Sequence, residues 1–260
     1  MTCPKSFRRN RRPRPFGSAN AVFARRASSV ARVAHALLLR RVEYGESDLV
    51  VTLLTDTIGR VSALARGARK SAKRFGGVLE PMHTLRIEYD DRSGAELVVL
   101  REAKLSCARP FLVTSLSRMQ AAGQALNWVR KATPPRTPEP QVWSAMEALL
   151  DHLSDPDDQV SPQARLAAEG LRLLTAFGWG IDLSQCVSCG KAPAAGQAAA
   201  VDAARGGLVC RDCGGARRRL SGSERLALSQ VARGGELDDD TAALALDLID
   251  QALKAHGGIE

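Results

Sequence analysis

Between Val33 and Leu105 short apolar runs are separated by turn residues, a pattern that predicts an all-β module. Five strands can be read: Val33 to Arg41, Leu49 to Thr55, Arg60 to Ala65, Thr84 to Tyr89 and Ala95 to Ala103. The turns between them are Tyr44-Gly45-Glu46-Ser47, Asp56-Thr57-Ile58-Gly59 and Asp90-Asp91-Arg92-Ser93-Gly94, and only the third and fourth strands lie far apart. Leu85, Ile87 and Tyr89 alternate with Arg86 and Glu88, so the fourth strand has one wet face. Five strands with one long connection suit a partly open, OB-like β-barrel, with an SH3-like barrel as the structural alternative.

After Pro110 the apolar spacing lengthens to the helical period. Leu112, Leu116, Met119, Gly123 and Leu126 fall on one face of a first helix. Val142, Met146, Leu149, Leu150 and Leu153 do so on a second, beyond a proline-rich break from Thr133 to Pro140. Ser161-Pro162 is an N-cap followed by proline at the first helical position, and that helix runs through Leu166, Leu173, Leu174 and Phe177 until Gly178 and Gly180 end it. Ser221 and Glu224 form a capping box for a short helix, and Asp240 begins a last one through Leu246, Ile249 and Leu253 to Gly257-Gly258. The expected fold class is therefore multi-domain α and β. A basic, disordered extension (1–32) precedes a five-stranded OB-like barrel (33–107) and an α-helical domain (108–260) that carries a four-cysteine insertion at 186–213.

That insertion carries the sharpest chemistry. Cys186-Val187-Ser188-Cys189 is followed, after twenty residues, by Cys210-Arg211-Asp212-Cys213. Two residues between cysteines let both thiolates of one tight turn face the same ion, and the second turn completes a tetrahedral zinc site. Gly190 and Gly214 directly after the pairs supply the positive φ that such knuckles need. Four sulfurs close the coordination sphere, whereas a catalytic zinc keeps one position for water. A zinc deaminase would also need His-x-Glu upstream and proline directly before a cysteine pair, and neither is present. One structural Zn2+ held by Cys186, Cys189, Cys210 and Cys213 is the expectation. Cys3 and Cys107 stand alone in the sequence, so cysteine usage suits metal binding in a reducing cytosol better than a disulfide framework.

Charge refines the picture. The chain has 260 residues, 45% hydrophobic, enough for two domains with a core, and no apolar run approaches membrane-spanning length. The formal charge of +9 is local: Met1 to Arg41 hold eleven Lys or Arg and no acid, and the rest of the chain holds 26 basic against 28 acidic residues. Arg8, Arg9, Arg11, Arg12 and Arg14, interrupted by Pro13 and Pro15, cannot bury enough apolar surface to fold alone. A solvated arm adding non-specific nucleic-acid affinity, a start assigned too far upstream and an organelle transit peptide all fit this segment.

The long connection between the third and fourth strands carries Arg66, Arg69, Lys70, Lys73 and Arg74, with no acid between Asp56 and Glu80. If the segment is helical these residues share a face, a positive stripe that a polyanion would neutralise. On an OB-like barrel such cations track phosphates while aromatics stack bases. Aromatics are scarce here, only Tyr44, Phe75 and Tyr89 lying in or near the barrel, so binding should be mainly electrostatic. With Arg40 and Arg60 added, the candidate DNA-binding set is Arg40, Arg60, Arg66, Arg69, Lys70, Lys73 and Arg74.

The run Leu37-Leu38-Leu39-Arg40-Arg41 through Tyr44-Gly45-Glu46-Ser47-Asp48, then Thr52-Leu53-Leu54-Thr55, Gly59-Arg60, Ala65-Arg66-Gly67-Ala68-Arg69-Lys70 and Leu79-Glu80-Pro81, resembles the opening of the RecO recombination proteins. The resemblance covers the chain from about Ala34 onward. It implies an N-terminal OB barrel and a helical domain with a four-cysteine zinc insertion. It further implies a bacterial, cytoplasmic and nucleoid-associated mediator that binds single- and double-stranded DNA and anneals complementary strands. With RecR, such a mediator helps RecA replace the single-strand-binding protein, whose acidic C-terminal tail docks on the helical domain. The long basic start departs from the family pattern.

Two other classes compete. An enzyme is disfavoured: the residue five before Gly190-Lys191, where a phosphate-binding loop needs glycine, is Gln185, and His35, His83, His152 and His256 are scattered. A zinc-ribbon nucleic-acid-binding protein of transcription or translation, reading nucleic acid through the ribbon with help from Arg217-Arg218-Arg219, is the other alternative.

Overall fold

The computed structural model describes residues 31–91, 95–231 and 234–258. The basic arm at residues 1–30 lies outside them, and the barrel begins at Ala31, two residues before the expected start.

Five strands form the barrel: β1 Ala31–Tyr44, β2 Asp48–Thr55, β3 Gly59–Ala65, β4 Thr84–Asp90 and β5 Leu97–Cys107. Their alternate residues Ala34, Ala36 and Leu38; Leu49, Val51 and Leu53; Val61, Ala63 and Ala65; Leu85, Ile87 and Tyr89; Val98, Leu100 and Ala103 build one buried core. The period of two read from the sequence thus sets the inner face. The barrel is closed, in the order β1-β2-β3-β5-β4, where a partly open one was expected. Closure follows from the length of β1, whose first half pairs with β4 from Ala31↔Asp90 and whose second half pairs with β2 as far as Tyr44↔Asp48. The parallel pairing of β3 with β5 suits the OB-like reading rather than the SH3-like one.

The long connection is a series of turns, not a helix, so the helical stripe does not form. Gly67, Gly76 and Gly77 sit at φ of 64°, 49° and 75°, conformations that an α-helix excludes. The segment instead seals the barrel with Phe75 and Leu79, both buried in the barrel core.

Behind the barrel come α1 Leu116–Ala132, α2 Pro140–Ser154, α3 Pro162–Ala176, α4 Gly222–Gln230 and α5 Asp239–Gly257. The caps fall where the sequence put them: Ser161 Oγ accepts from Ala164 N–H, and Ser221 with Glu224 closes a reciprocal capping box. The face of α1 does not. Leu116 is 69% and Met119 37% exposed, while Ala121, Ala122, Ala125, Leu126, Trp128 and Val129 are buried. The reason is a break in phase: Pro110–Thr114 forms a 3₁₀ turn holding Leu112, and α1 starts afresh after Ser115, so spacing counted from Leu112 carries no information about α1. At Gly170 of α3 a Cβ would lie 2.7 Å from Ile249 Cδ1 and 3.0 Å from Trp128 Cζ3, which is why α1, α3 and α5 approach so closely. Among the described residues no helix is long and apolar enough to cross a membrane.

Between α3 and α4 the cysteine region builds a small four-stranded sheet that the sequence reading did not anticipate. Its strands are β6 Asp182–Cys186, β7 Ala199–Asp202, β8 Gly207–Leu208 and β9 Arg218–Leu220, in the order β6-β8-β7-β9.

Barrel and helices share a boundary. Leu37, Leu39 and Leu54 point out of the barrel into the helical core. The proline-rich break between α1 and α2 is a strap across β3: Arg60 Nε donates to Thr133 O at 2.7 Å, and Arg136 N–H donates to Arg60 O at 2.8 Å. Gly59, at φ +71°, lets the strap in, since a Cβ there would sit 1.7 Å from Thr137 O.

Candidate metal centre and nucleic-acid interface

The four motif sulfurs lie within 4.8 Å of one another, and Cys189 Sγ is 3.6 Å from Cys210 Sγ. A tetrahedral zinc with Zn–S of about 2.3 Å needs sulfur–sulfur edges of about 3.8 Å. The donor set and its spacing therefore fit such an ion, and the four thiols are free. Each knuckle closes through its glycine: Gly190 N–H donates to Cys186 O at 2.8 Å with φ +74°, and Gly215 N–H donates to Cys210 O at 3.0 Å after Gly214 at φ +98°. Cys210 N–H also points at Cys186 Sγ, 3.4 Å away, and with other backbone N–H groups of the knuckle holds that thiol down to about 6. Cys213 is pushed up to about 12, chiefly by its hydrogen bond with Cys210. A divalent cation would let all four become thiolates together.

Beside the sulfurs runs a cleft of about 1330 Å3, lined among others by Lys191, Arg211, Arg217, Arg218 and Arg219. Lys191 Nζ reaches Asp212 Oδ2 at 3.3 Å across the two knuckles, and Arg218 Nη1 lies 3.5 Å from Asp247 Oδ2 on α5. A divalent ion held by four thiolates would retain excess negative charge, which these cations would balance locally.

The seven barrel cations separate into two groups. Arg60 is half-buried against the strap, and desolvation followed by the nearby Arg130 lowers its pKa. Arg69 pairs with Glu43 at 3.1 Å, its N–H donating to Ser47 O at 3.0 Å. Arg74 donates from Nη2 to Arg66 O at 2.7 Å, contacts Ser71 Oγ and lies 5.2 Å above the Phe75 ring. These three hold the barrel and its seal together. Arg40, Arg66, Lys70 and Lys73 are exposed, and among the described residues no acid pairs with any of their side chains.

The sequence reading passed over Arg109, which is 1% exposed and has no motif around it. Its hydrogen bonds run to both the barrel and α2. Of the aromatics, Phe75 and Tyr89 are each 1% exposed and serve the core, whereas Tyr44 at the tip of the β1–β2 hairpin is 61% exposed.

The recombination protein O N-terminal family model matches residues 32–108, and the recombination protein O C-terminal model matches residues 113–260. Among curated proteins, the DNA repair protein RecO of Anaeromyxobacter sp. (strain K) is 40% identical over 178 residues, 68% of either chain. That of Anaeromyxobacter dehalogenans (strain 2CP-C) is 37% identical over 203 residues, 76% of this chain and 78% of the relative. That of Myxococcus xanthus (strain DK1622) is 36% identical over 179 residues, 69% of this chain and 71% of the relative.

Proposed function

The chain belongs to the RecO family of DNA repair proteins, and from that premise we propose that it is a recombination mediator that binds single- and double-stranded DNA and anneals complementary strands. In this reading it meets RecR through the barrel and the acidic tail of single-strand-binding protein through the helical domain. RecA is thereby loaded onto coated DNA in the bacterial cytoplasm, at the nucleoid. The two domains are residues 33–107 and 108–260.

What supports DNA binding in the structure is the placement of Arg40, Arg66, Lys70 and Lys73 on one barrel and its seal, exposed and without acid partners among the described residues. Cations left unpaired in this way retain their full attraction for phosphates, because no internal pair must break first. The metal is read as one zinc per chain, held by Cys186, Cys189, Cys210 and Cys213. When bound it supplies a cross-link between the two knuckles and no chemistry; the residues around it position the β6–β9 sheet against α5.

The test is annealing of complementary single strands by the full-length protein, with and without a coat of single-strand-binding protein. Acceleration of both, and further RecA loading on addition of RecR, is the expected result. No DNA binding even at low salt would overturn the reading.

A further inference from the structure

The strand register places an open, partly apolar face on the outside of the barrel. Val42 pairs with Val50, Val50 with Leu64, and Leu64 with Val99, a single row across four strands. The neighbouring row is Arg40, Thr52, Ser62 and Leu97. Their sequence neighbours Val51, Ala63 and Val98 fill the barrel interior, so alternation sends both rows outward. Of the outward residues on β1, β2 and β3, Leu37, Leu39 and Leu54 are covered by helices and Arg60 by the strap. These two rows are not: Val42 is 45% and Leu97 38% exposed.

Tyr44 follows Val42 by two residues and so continues this face to the hairpin tip. The hairpin is tied to the seal: Gly67 N–H donates to Asp48 Oδ1 at 2.7 Å, and Arg69 N–H donates to Ser47 O at 3.0 Å. These bonds bring the exposed Arg66 and Lys70 beside the tip. Asp48 is occupied by Gly67 and Ser47, and Glu43 by Arg69, so they do not neutralise Arg66 or Lys70. A flat aromatic ring, an apolar floor and unpaired cations on either side match the alternation of base and phosphate along a single strand. A duplex offers the cations its phosphates but keeps its base faces stacked on one another, leaving nothing for the ring.

We propose that Tyr44 is the residue by which this chain distinguishes single-stranded from double-stranded DNA, one unpaired base stacking on its ring while Arg40 and Arg66 take flanking phosphates. This rests on the DNA-binding reading above and adds to it a preference for unpaired strands with a single side chain as its source.

The experiment compares full-length wild type, Tyr44→Ala and Tyr44→Phe on three labelled probes of equal length: oligo-dT, the same backbone with an abasic tract, and a duplex. Fluorescence anisotropy is read across a salt series, and thermal melting checks the fold. Tyr44→Ala should weaken oligo-dT binding by about tenfold, the scale of one lost stacking contact, with an unchanged salt slope. It should weaken abasic and duplex binding far less, and Tyr44→Phe should keep the wild-type preference because the ring remains. Oligo-dT binding by Tyr44→Ala equal to that of wild type would overturn the proposal and leave the apolar rows to a protein partner. Equal losses on all three probes would overturn it as well, since they would mark a general effect on the hairpin. A wild type that binds none of the probes would sink the DNA-binding reading itself; a wild type that binds them with Tyr44→Ala unchanged sinks only this inference.

Discussion

Arg109 Nε donates to Asp151 Oδ1 at 2.8 Å, joining the segment that leaves β5 to the middle of α2 across 42 residues of chain. The same guanidinium donates from Nη1 to Thr84 Oγ1 at 2.9 Å, and Thr84 Oγ1 donates in turn to Glu147 Oε1 at 2.7 Å. A 1% exposed arginine is tolerable only because it is paired, with Nη2 lying 2.7 Å from Asp151 Oδ1 and 3.3 Å from Glu147 Oε1. Barrel and helices therefore meet through a polar lock set beside the apolar contacts of Leu37, Leu39 and Leu54.

Removing that lock should uncouple the two parts. Arg109→Met keeps most of the side-chain volume and deletes the charge, and is expected to cost about 2 to 3 kcal/mol, the lower end for a buried pair because Asp151 is half in solvent. Urea unfolding read by tryptophan fluorescence should show a lower midpoint and a broader, less cooperative transition. An unchanged midpoint would show that the apolar contacts suffice.

Chelation should act on the helical part. Elemental analysis is expected to give one zinc per chain, and its removal should lower the melting temperature, since structural zinc binding is folding free energy. Cys186→Ser should do the same, because Cys186 is the buried cysteine of the four and Cys210 N–H donates to its sulfur. A metal-free chain that melts as the loaded one does would refute the structural role.

The cations that hold structure and those proposed to hold DNA should separate by mutation. Replacing Arg66, Lys70 and Lys73 with alanine removes three phosphate contacts and should flatten the slope of log K against log salt by about 2 for single strands. Folding should be unaffected, as all three are exposed without acid partners among the described residues. Arg74→Ala should instead loosen the seal over Phe75, lowering stability with a smaller change in slope.

Glu169 gives a pH signature. Burial in the helical core raises its pKa above the ordinary 4.5, with Arg172 opposing the shift. The folded state thus binds its proton more tightly than the unfolded state does. The resulting stabilisation is full below 4.5 and is lost as pH rises through the folded-state value. Glu169→Gln should be relatively more stable than wild type above that range, and urea midpoints from pH 4 upward should show the difference closing as pH falls. A constant offset at every pH would remove Glu169 from the account.

What could be read locally was read well, for a physical reason: its causes lie within a few residues. Alternation at Leu85, Ile87 and Tyr89 depends only on the pleat, and all three are buried as it requires. Ser161 and Ser221 cap because a hydroxyl three residues from an amide can reach it. The cysteine pairs converge because each knuckle is a turn with its own glycine. The phase of α1 escaped because a 3₁₀ turn reset the count, and the connecting segment refused a helix because three glycines there adopt positive φ.

The sequence by itself determined the five barrel strands, the caps, the family motifs and the convergence of the four cysteines, all of them set by spacing along the chain. Only the tertiary structure decided that the barrel closes, that residues 133–139 strap it, and that Arg109 locks it to α2. It alone separates Arg60, Arg69 and Arg74, engaged with Thr133, Glu43 and the Arg66 carbonyl, from Arg40, Arg66, Lys70 and Lys73, whose side chains meet no acid among the described residues. Identical side chains in one basic run differ only by which groups distant in sequence come within about 3 Å of them, and a linear pattern holds no record of that distance.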